Sequence, residues 1–512
     1  MKKTYKLLLF ILLIISQSCF YDLEEDTSSI FTLDELNSEA DITAALSAIF
    51  RTYESEVAQE PHFRQIVGFG SDDITTWWGG NKAPLRVFDR FDYGNGENSS
   101  ILWLDRPWDG YWEVIYYSNS LIDGLKTSEA PEDVVTLGDG EARFFRAMSY
   151  LNLVKGWGNM PIILDGVKPT GDETRATVVE NYAQIEADLM IAENSLPGPE
   201  SVAPGRVSSA AAKVVLADLY LTWSGWPAKD NSKYQEAAAK AKEVIDLGFF
   251  ELLPIDELWK TENQNSREAI FAFQVSLEEN IWNPFPQHYS FHESRGWSDM
   301  YPERQFFYDF PEGPRKDITF NTEIPQYGVS QGTITVLDPS SVPWQSSQRV
   351  HPMYGKFTIS ENLTLSDRLY GARAFEEYRY AEVLLIYAEA SARANGGIAS
   401  GEALEAYNQI RRRAEGLPFN VPSVSVDAVT VTADEIFVEK GWELAGEGKR
   451  WFDLVRMEKV AEANASRDPT EEVPLARSVS EIGWEQYIAP IPFSTISTSK
   501  LVQNPEGFKI NP

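Results

Sequence analysis

The chain has 512 residues, 43% of them hydrophobic, with 27 Phe, 22 Tyr and 15 Trp, which excludes a low-hydrophobicity disordered protein. Its 77 acidic residues against 45 basic ones give a net charge of −32, a field that repels phosphates and excludes non-specific nucleic-acid binding. Intramolecular disulfides and Cys/His metal clusters are excluded by a single cysteine, Cys19, and 4 histidines.

At the N-terminus, Lys2, Lys3 and Lys6 precede the apolar run Leu7 to Ile15. That run is too short to cross a bilayer as a helix but suits a signal sequence. Ser16-Gln17-Ser18-Cys19 comes next and resembles a bacterial lipoprotein cleavage site. Residues 1–18 therefore read as a lipoprotein signal peptide and Cys19 as the lipidated residue. Residues 19–38 read as an acidic, flexible tether. Several acyl chains, each adding about 0.8 kcal/mol per buried CH₂, would anchor the chain stably.

Helical periodicity dominates the chain beyond the tether. Trp108, Trp112 and Tyr116 share one helix face and read as core. Phe144, Ala147, Met148, Leu151 and Val154 form a stripe, as do Ile185, Leu189 and Ala192. An Ala-rich helix from Ser209 carries Val214, Ala217 and Leu221. The next runs from about Tyr234 to Leu247, with Gly248 where a C-terminal cap is expected. Short connections predict antiparallel neighbours.

Two stretches break this pattern, residues 68–100 and 280–371. The first is rich in Gly and aromatics, and the second is rich in Pro, Gly, Ser and aromatics and holds a β-like run from Thr333 to Leu337. Long ordered loops on a rigid scaffold are where binding residues tend to lie. Helices resume at Glu377 and run to about residue 459. Tyr380, Val383, Leu384, Tyr387 and Ala388 make one stripe. Leu404, Tyr407, Ile410 and Ala414 make the next, after Gly396-Gly397, in the manner of a tetratricopeptide hairpin. A further helical region covers Ala433 to Lys459. The expected fold class is mostly α.

Catalytic motifs are weak. Gly328-Val329-Ser330-Gln331-Gly332 fits G-x-S-x-G, but its flanks suit a hairpin turn and not a strand–turn–helix elbow. Gly446-Glu447-Gly448-Lys449-Arg450 lacks the first glycine and the Ser/Thr of a phosphate loop. Acid pairs such as Asp72-Asp73 read singly as solvated or capping groups. No cofactor is expected. A structural calcium is conceivable among so many acids, but no ligand spacing marks a metal site.

The aromatic loops are more informative. Trp77-Trp78-Gly79-Gly80-Asn81-Lys82 puts two flat rings, an amide and a cation in a Gly-flanked loop outside any periodic stripe. Such rings suit the apolar faces of sugars, and amide or guanidinium groups suit their hydroxyls. The candidate ligand-binding residues are Trp77, Trp78, Asn81 and Arg86, with Trp282, Tyr289 and Trp297 from the second loop region, where Tyr301 and Trp344 also lie.

Arg379-Tyr380-Ala381-Glu382-Val383-Leu384-Leu385-Ile386-Tyr387-Ala388-Glu389-Ala390 resembles the R-Y-A-E-V-L-L-x-Y-A-E-A helix of SusD/RagB proteins. Ala406 to Ala414 resembles their L-N-x-V-R-x-R-A helix, and Glu443 to Leu454 their E-L-A-F-E-G-x-R-W-x-D-L segment. In the first half, Glu141 to Ala147 and Gly158-Asn159-Met160-Pro161 resemble E-A-x-F-L-R-A and G-D-V-P. Gly446 departs by replacing an aromatic, and Lys440-Gly441 by replacing two arginines. Arg411, Glu443, Arg450 and Asp453 of these motifs suit buried ion pairs.

The resemblance implies one SusD-like domain with tetratricopeptide-like hairpins as scaffold and ligand-binding loops. It would comprise an N-terminal part, residues 39–275, and a C-terminal part, residues 276–512. It further implies a cell-surface outer-membrane lipoprotein, not an enzyme, that captures oligosaccharides or polysaccharide and delivers them to a SusC-like TonB-dependent transporter. Trp78 and Asn81 have a Trp-x-x-Asn spacing similar to the family's glycan site. A peptide binder of the same family is the alternative reading, and a lipid-anchored glycoside hydrolase a remote one.

Overall fold

The computed structural model describes residues 36–508 apart from 59–62, 93–102, 277, 279–280, 331–332, 337–341, 359–362, 365–368 and 370. The signal peptide, Cys19 and the tether up to residue 35 lie outside the described residues.

Among the described residues nine long helices build the scaffold: α1 Glu39–Thr52, α2 Asp105–Leu125, α3 Glu132–Trp157, α4 Val178–Ser195, α5 Ser209–Trp223, α6 Lys233–Asp246, α7 Tyr380–Ala394, α8 Glu402–Ala414 and α9 Ala433–Glu443. Their ends are set locally. Ser38 and Asp41, Thr177 and Glu180, and Thr432 and Glu435 form reciprocal capping boxes at the starts of α1, α4 and α9. After α6, Gly248 takes φ +61° and its N–H returns to the Ile245 carbonyl, as its position suggests.

Each helix from α2 to α6 packs on the next in sequence, and α6 then packs on α7, which packs on α8 and α9. The stack is thus continuous across the chain, and residues 247–379 leave it as one excursion. An antiparallel pair, Ala269–Phe273 with Phe375–Arg379, pinches the excursion near its base. Phe271 and Phe273 on that pair meet Phe144 and Tyr53 at ring-centroid distances of 5.3 and 5.5 Å, so the helical core runs into the strands.

One sequence expectation is corrected and another refined. Helix does not resume at Glu377: that residue lies in the strand Phe375–Arg379, and α7 begins at Tyr380. The region Ala433 to Lys459 is helical as expected, in two pieces, α9 and Arg450–Arg456. It breaks between Glu443 and Arg450, where Gly446 and Gly448 take φ +78° and +72°. The G-x-S-x-G segment forms a hairpin, Tyr327–Ser330 against Thr333–Val336 with Ser330 opposite Thr333. A strand, Thr333–Val336, follows Ser330 where a nucleophile elbow needs a helix.

The family-like motifs meet in a buried ion network. Arg413 on α8 lies 2.8 Å from Glu268 and 2.5 Å from Glu443 on α9. Arg379 lies 3.1 Å from Glu268, 2.7 Å from Glu443 and 2.8 Å from Glu447. Arg315 pairs with Glu439 at 2.6 Å, and Lys356 with Glu447 at 2.7 Å. Burial opposes ionisation of Glu443, but Arg413, Arg379 and Arg315 outweigh it and hold the carboxyl far below the usual range. The network ties the excursion, which supplies Glu268, Arg315, Lys356 and Arg379, to the end of the helical stack. Such a set specifies one arrangement, because any displaced member is left as an unpaired buried charge.

Candidate functional site

The loop that carries Trp77 and Trp78 is fixed from beneath. Asp73 is buried, and its carboxylate accepts from the Ser71 hydroxyl at 2.5 Å and the Gly446 N–H at 3.1 Å. Burial raises its pKa, the Ser71 hydrogen bond lowers it, and the adjacent Asp72 raises it again. Asp72 itself accepts two hydrogen bonds from Arg450, each 2.7 Å. Both carboxylates therefore hold structure, and neither is placed as a free acid or base.

Further along, Thr75 and Tyr301 exchange backbone hydrogen bonds of 2.8 and 3.2 Å, which joins the two loop-rich stretches. The Thr75 hydroxyl donates to Asp89 at 2.8 Å, and Arg467 pairs with Asp89 at 2.7 Å. The C-terminal segment is thereby drawn against the same loop.

On this base stands a shelf of rings and cations. Trp78 is 49% exposed, a high value for a tryptophan. The Arg86 and Arg90 guanidinium carbons lie 5.0 and 4.9 Å from its ring centroid. Its backbone N–H donates to Glu472 at 3.1 Å. Trp77 is half-buried with the Arg349 guanidinium 3.4 Å from its ring centroid. The chain at Gly79 passes so close to the Trp77 ring that a Cβ would collide with it. Arg86 donates to the Gly79 carbonyl, which fixes the turn beyond the two rings. Asn81 is exposed in the short turn Gly80–Lys82.

Lys82 connects the shelf to the second loop region. It is buried, lies 2.6 Å from Asp299, and sits 5.9 Å from the Trp297 ring centroid. Asp299 also meets His288 Nδ1 at 3.0 Å, and the His288 ring stands edge-on to Trp297 at 4.9 Å. The structure thus brings Trp77, Trp78, Asn81, Arg86 and Trp297 into one neighbourhood.

Two candidates fall elsewhere. Tyr289 is only 1% exposed, stacks on Phe357 at 4.7 Å and donates to the Gly446 carbonyl at 3.3 Å. It is a core residue, which corrects the expectation of ligand contact. Trp282 is half-buried at the foot of the excursion, between the bridges Ser276–Ile281 and Asn283–Gly371. Tyr301 and Trp344, from the same stretch, are buried too.

Sequence reasoning missed Arg90, Arg349 and Glu472. Arg90 had a local signal, four residues after Arg86 at the end of one helical turn. Arg349 and Glu472 had none, since both arrive from distant segments. A separate cleft of about 500 Å³ lies between α2 and residues 494–501, with Trp112, Asp109, Thr170 and Thr498 among its walls. Among the described residues no group of three or more His, Cys, Asp or Glu could hold a metal ion. No described helix is long and apolar enough to cross a membrane.

Comparison with known proteins places this geometry in context. Two family models match, one described as the SusD family over residues 300–507 and one as starch-binding associating with outer membrane over residues 22–221. A SusD-like protein of Bacteroides ovatus is 26% identical over 386 residues, which are 69% of this chain and 65% of that protein. The match thus spans just under two thirds of that relative's length. A SusD homolog of Bacteroides thetaiotaomicron superposes with a TM-score of 0.78 at 20% identity, covering 93% of this chain and 98% of that one. Surface glycan-binding protein A of the same organism, solved with laminarihexaose, gives a TM-score of 0.71 at 19% identity, covering 91% and 100%. At these identities the structural matches show a shared fold.

Proposed function

The chain belongs to the SusD/RagB family, and from that premise we propose that it is a cell-surface glycan-binding protein. The observation that carries this reading is the Trp77–Trp78 shelf, with a half-exposed ring beside guanidinium and amide groups on a loop fixed by buried ion pairs and hydrogen bonds. Flat rings gain most against the apolar face of a pyranose, and donors at their rim select hydroxyls. A relative of the same fold was solved with laminarihexaose, which supports a saccharide as ligand. In this reading binding is non-covalent and no bond is broken.

The finer parts of the proposal rest on family membership. Cys19 would carry the lipid anchor at the outer membrane, and the bound glycan would pass to a TonB-dependent transporter. The test is an affinity screen of the purified protein against neutral and acidic oligosaccharides and a peptide mixture, with Trp77→Ala/Trp78→Ala alongside and products examined for cleavage. Glycan binding that disappears in the double variant is the expected result. Binding that survives would move the site, for instance to the cleft beside Trp112. Peptide-only binding would replace the glycan reading, and cleaved product would overturn the non-enzymatic one.

A further inference from the structure

The shelf is cationic in a chain whose net charge is −32. Arg86, Arg90 and Arg349 all lie over Trp77 or Trp78, and none of them forms an ion pair with the described residues. With 77 acids available, the buried arginines of the scaffold are held by carboxylates, as Arg379, Arg413, Arg450 and Arg467 are, whereas Arg175 and Arg477 bond amide and backbone oxygens instead. Arg86 and Arg90 stand four residues apart on one helical turn, a spacing at which like charges repel.

A second observation points the same way. Trp77 Nε1, Arg90 Nε and Arg349 Nε are buried and have no hydrogen-bond acceptor among the described residues. All three are donors. Orphan nitrogens also occur on Arg413, Arg450 and Arg467, but those guanidiniums have a carboxylate on their other N–H groups, whereas Arg90 and Arg349 have no ion pair among the described residues and are left to a partner that brings acceptor oxygens. Arg86 is consistent with this: burial first, and then the charge of Arg90, press its pKa down, while Glu472 raises it. Glu472 also accepts the Trp78 N–H, so that carboxylate is divided between the loop backbone and the cations.

Building on the glycan reading above, we propose that the shelf selects glycans bearing carboxylate or sulfate substituents, with Arg86, Arg90 and Arg349 as the residues that read them. A guanidinium lying over a tryptophan ring keeps its N–H edge for an oxyanion and is held in place by the ring. Paired N–H···O⁻ bonds to such a group are stronger and more directional than those to a hydroxyl. The rest of the surface repels polyanions, so binding of this kind must come from the local site and not from the protein's overall field.

The test compares three oligosaccharides of similar length: neutral laminarin, polyuronate alginate and sulfated carrageenan fragments. Each is titrated into the purified protein at low and high salt, and into Arg86→Gln/Arg90→Gln/Arg349→Gln after its thermal midpoint has been checked. The expected result is that at least one acidic glycan binds ten-fold or more tightly than the neutral one. That advantage should shrink about ten-fold at high salt, because exposed charges are screened within about 10 Å at 0.1 M. The triple variant should lose it. Should the variant fail to fold, the salt series on the unmodified protein still decides. Equal affinity for neutral and acidic glycans, or an acidic preference indifferent to salt and to the arginines, overturns the proposal and leaves the glycan reading standing. Absence of all glycan binding overturns both. The uronate and sulfate arms identify which oxyanion is read.

Discussion

The amide of Gly446 donates to the buried Asp73 carboxylate at 3.1 Å, so a glycine from the C-terminal half holds the loop that carries Trp77 and Trp78. The Tyr354 hydroxyl donates to the Asp73 carbonyl at 2.5 Å, and the Tyr354 ring fills the space where a Gly446 side chain would go. The departure from the family's aromatic at this position thus has a local cause. With φ +78° and a Cβ position 2.8 Å from the ring, only glycine fits without displacing Tyr354.

Gly446→Ala is expected to destabilise the protein by about 2 kcal/mol, from a left-handed backbone position and overpacking against a rigid ring. Urea denaturation measures it. An unchanged midpoint would show that the Tyr354 contact yields easily.

Trp78 and Tyr289 should separate binding from stability. Trp78→Ala is expected to weaken glycan binding on the order of ten-fold while unfolding stays within about 0.5 kcal/mol, since the ring is 49% exposed. Tyr289→Ala removes a ring that is 1% exposed and should cost about 3–5 kcal/mol. Titration calorimetry and chemical denaturation on both variants would expose a reversal of these roles.

Glu443 faces Arg379, Arg413 and Arg315 at once, at 2.7, 2.5 and 3.2 Å. Glu443→Gln keeps the shape but leaves surplus buried positive charge. A loss of about 3–5 kcal/mol is expected, as for other broken buried pairs. A loss below about 1 kcal/mol in guanidinium denaturation would mean that water reaches the network.

Stability should be greatest in mildly acidic solution. Burial raises Glu303 to about 7, against hydrogen bonds from the Asp468 and Phe306 amides and with the Glu471 charge assisting. A raised folded value means its contribution is complete below the unfolded value of about 4.3 and is lost as pH climbs through 7. Asp453 behaves oppositely. Burial would raise it, but Lys440 and Arg456 outweigh that and hold it at about 2. Glu447 is likewise lowered, by Arg379 and Lys356 against burial. The contribution of these depressed carboxyls is complete above about 4 and is lost as pH falls toward 2. Thermal midpoints at pH 8, 5.5 and 3 should therefore rise and then fall. A continuous decline from pH 8 to 5.5 would contradict the placement of Glu303.

Much of the scaffold was legible because helices are local. The stripes of Phe144, Ile185, Val214 and Tyr380 repeat within a few residues, and each lies in a helix of the stack. Capping pairs such as Thr177 and Glu180 are three residues apart, so one window contains them. The motif residues read as ion-paired also lie where expected, with Glu443 on Arg413, Arg450 on Asp72, and Asp453 on Lys440 and Arg456. The strand Phe375–Arg379 was not legible. Nothing in Glu376-Glu377-Tyr378-Arg379 forbids helix, and only pairing with Ala269–Phe273 decides its state.

Spacing along the chain was enough to establish the helical scaffold, the two loop-rich stretches and the unusual tryptophan pair, and the motif residues carried the family resemblance. Which aromatics face outward was settled only by packing. Tyr289 and Trp297 stand in the same loop region, yet one is packed under Phe357 and the other stands beside Lys82. Packing likewise placed Arg349 on Trp77 and Glu472 beside Trp78. Burial and charge pairing are sums over neighbours in space, and for a surface loop most of those neighbours come from elsewhere in the chain.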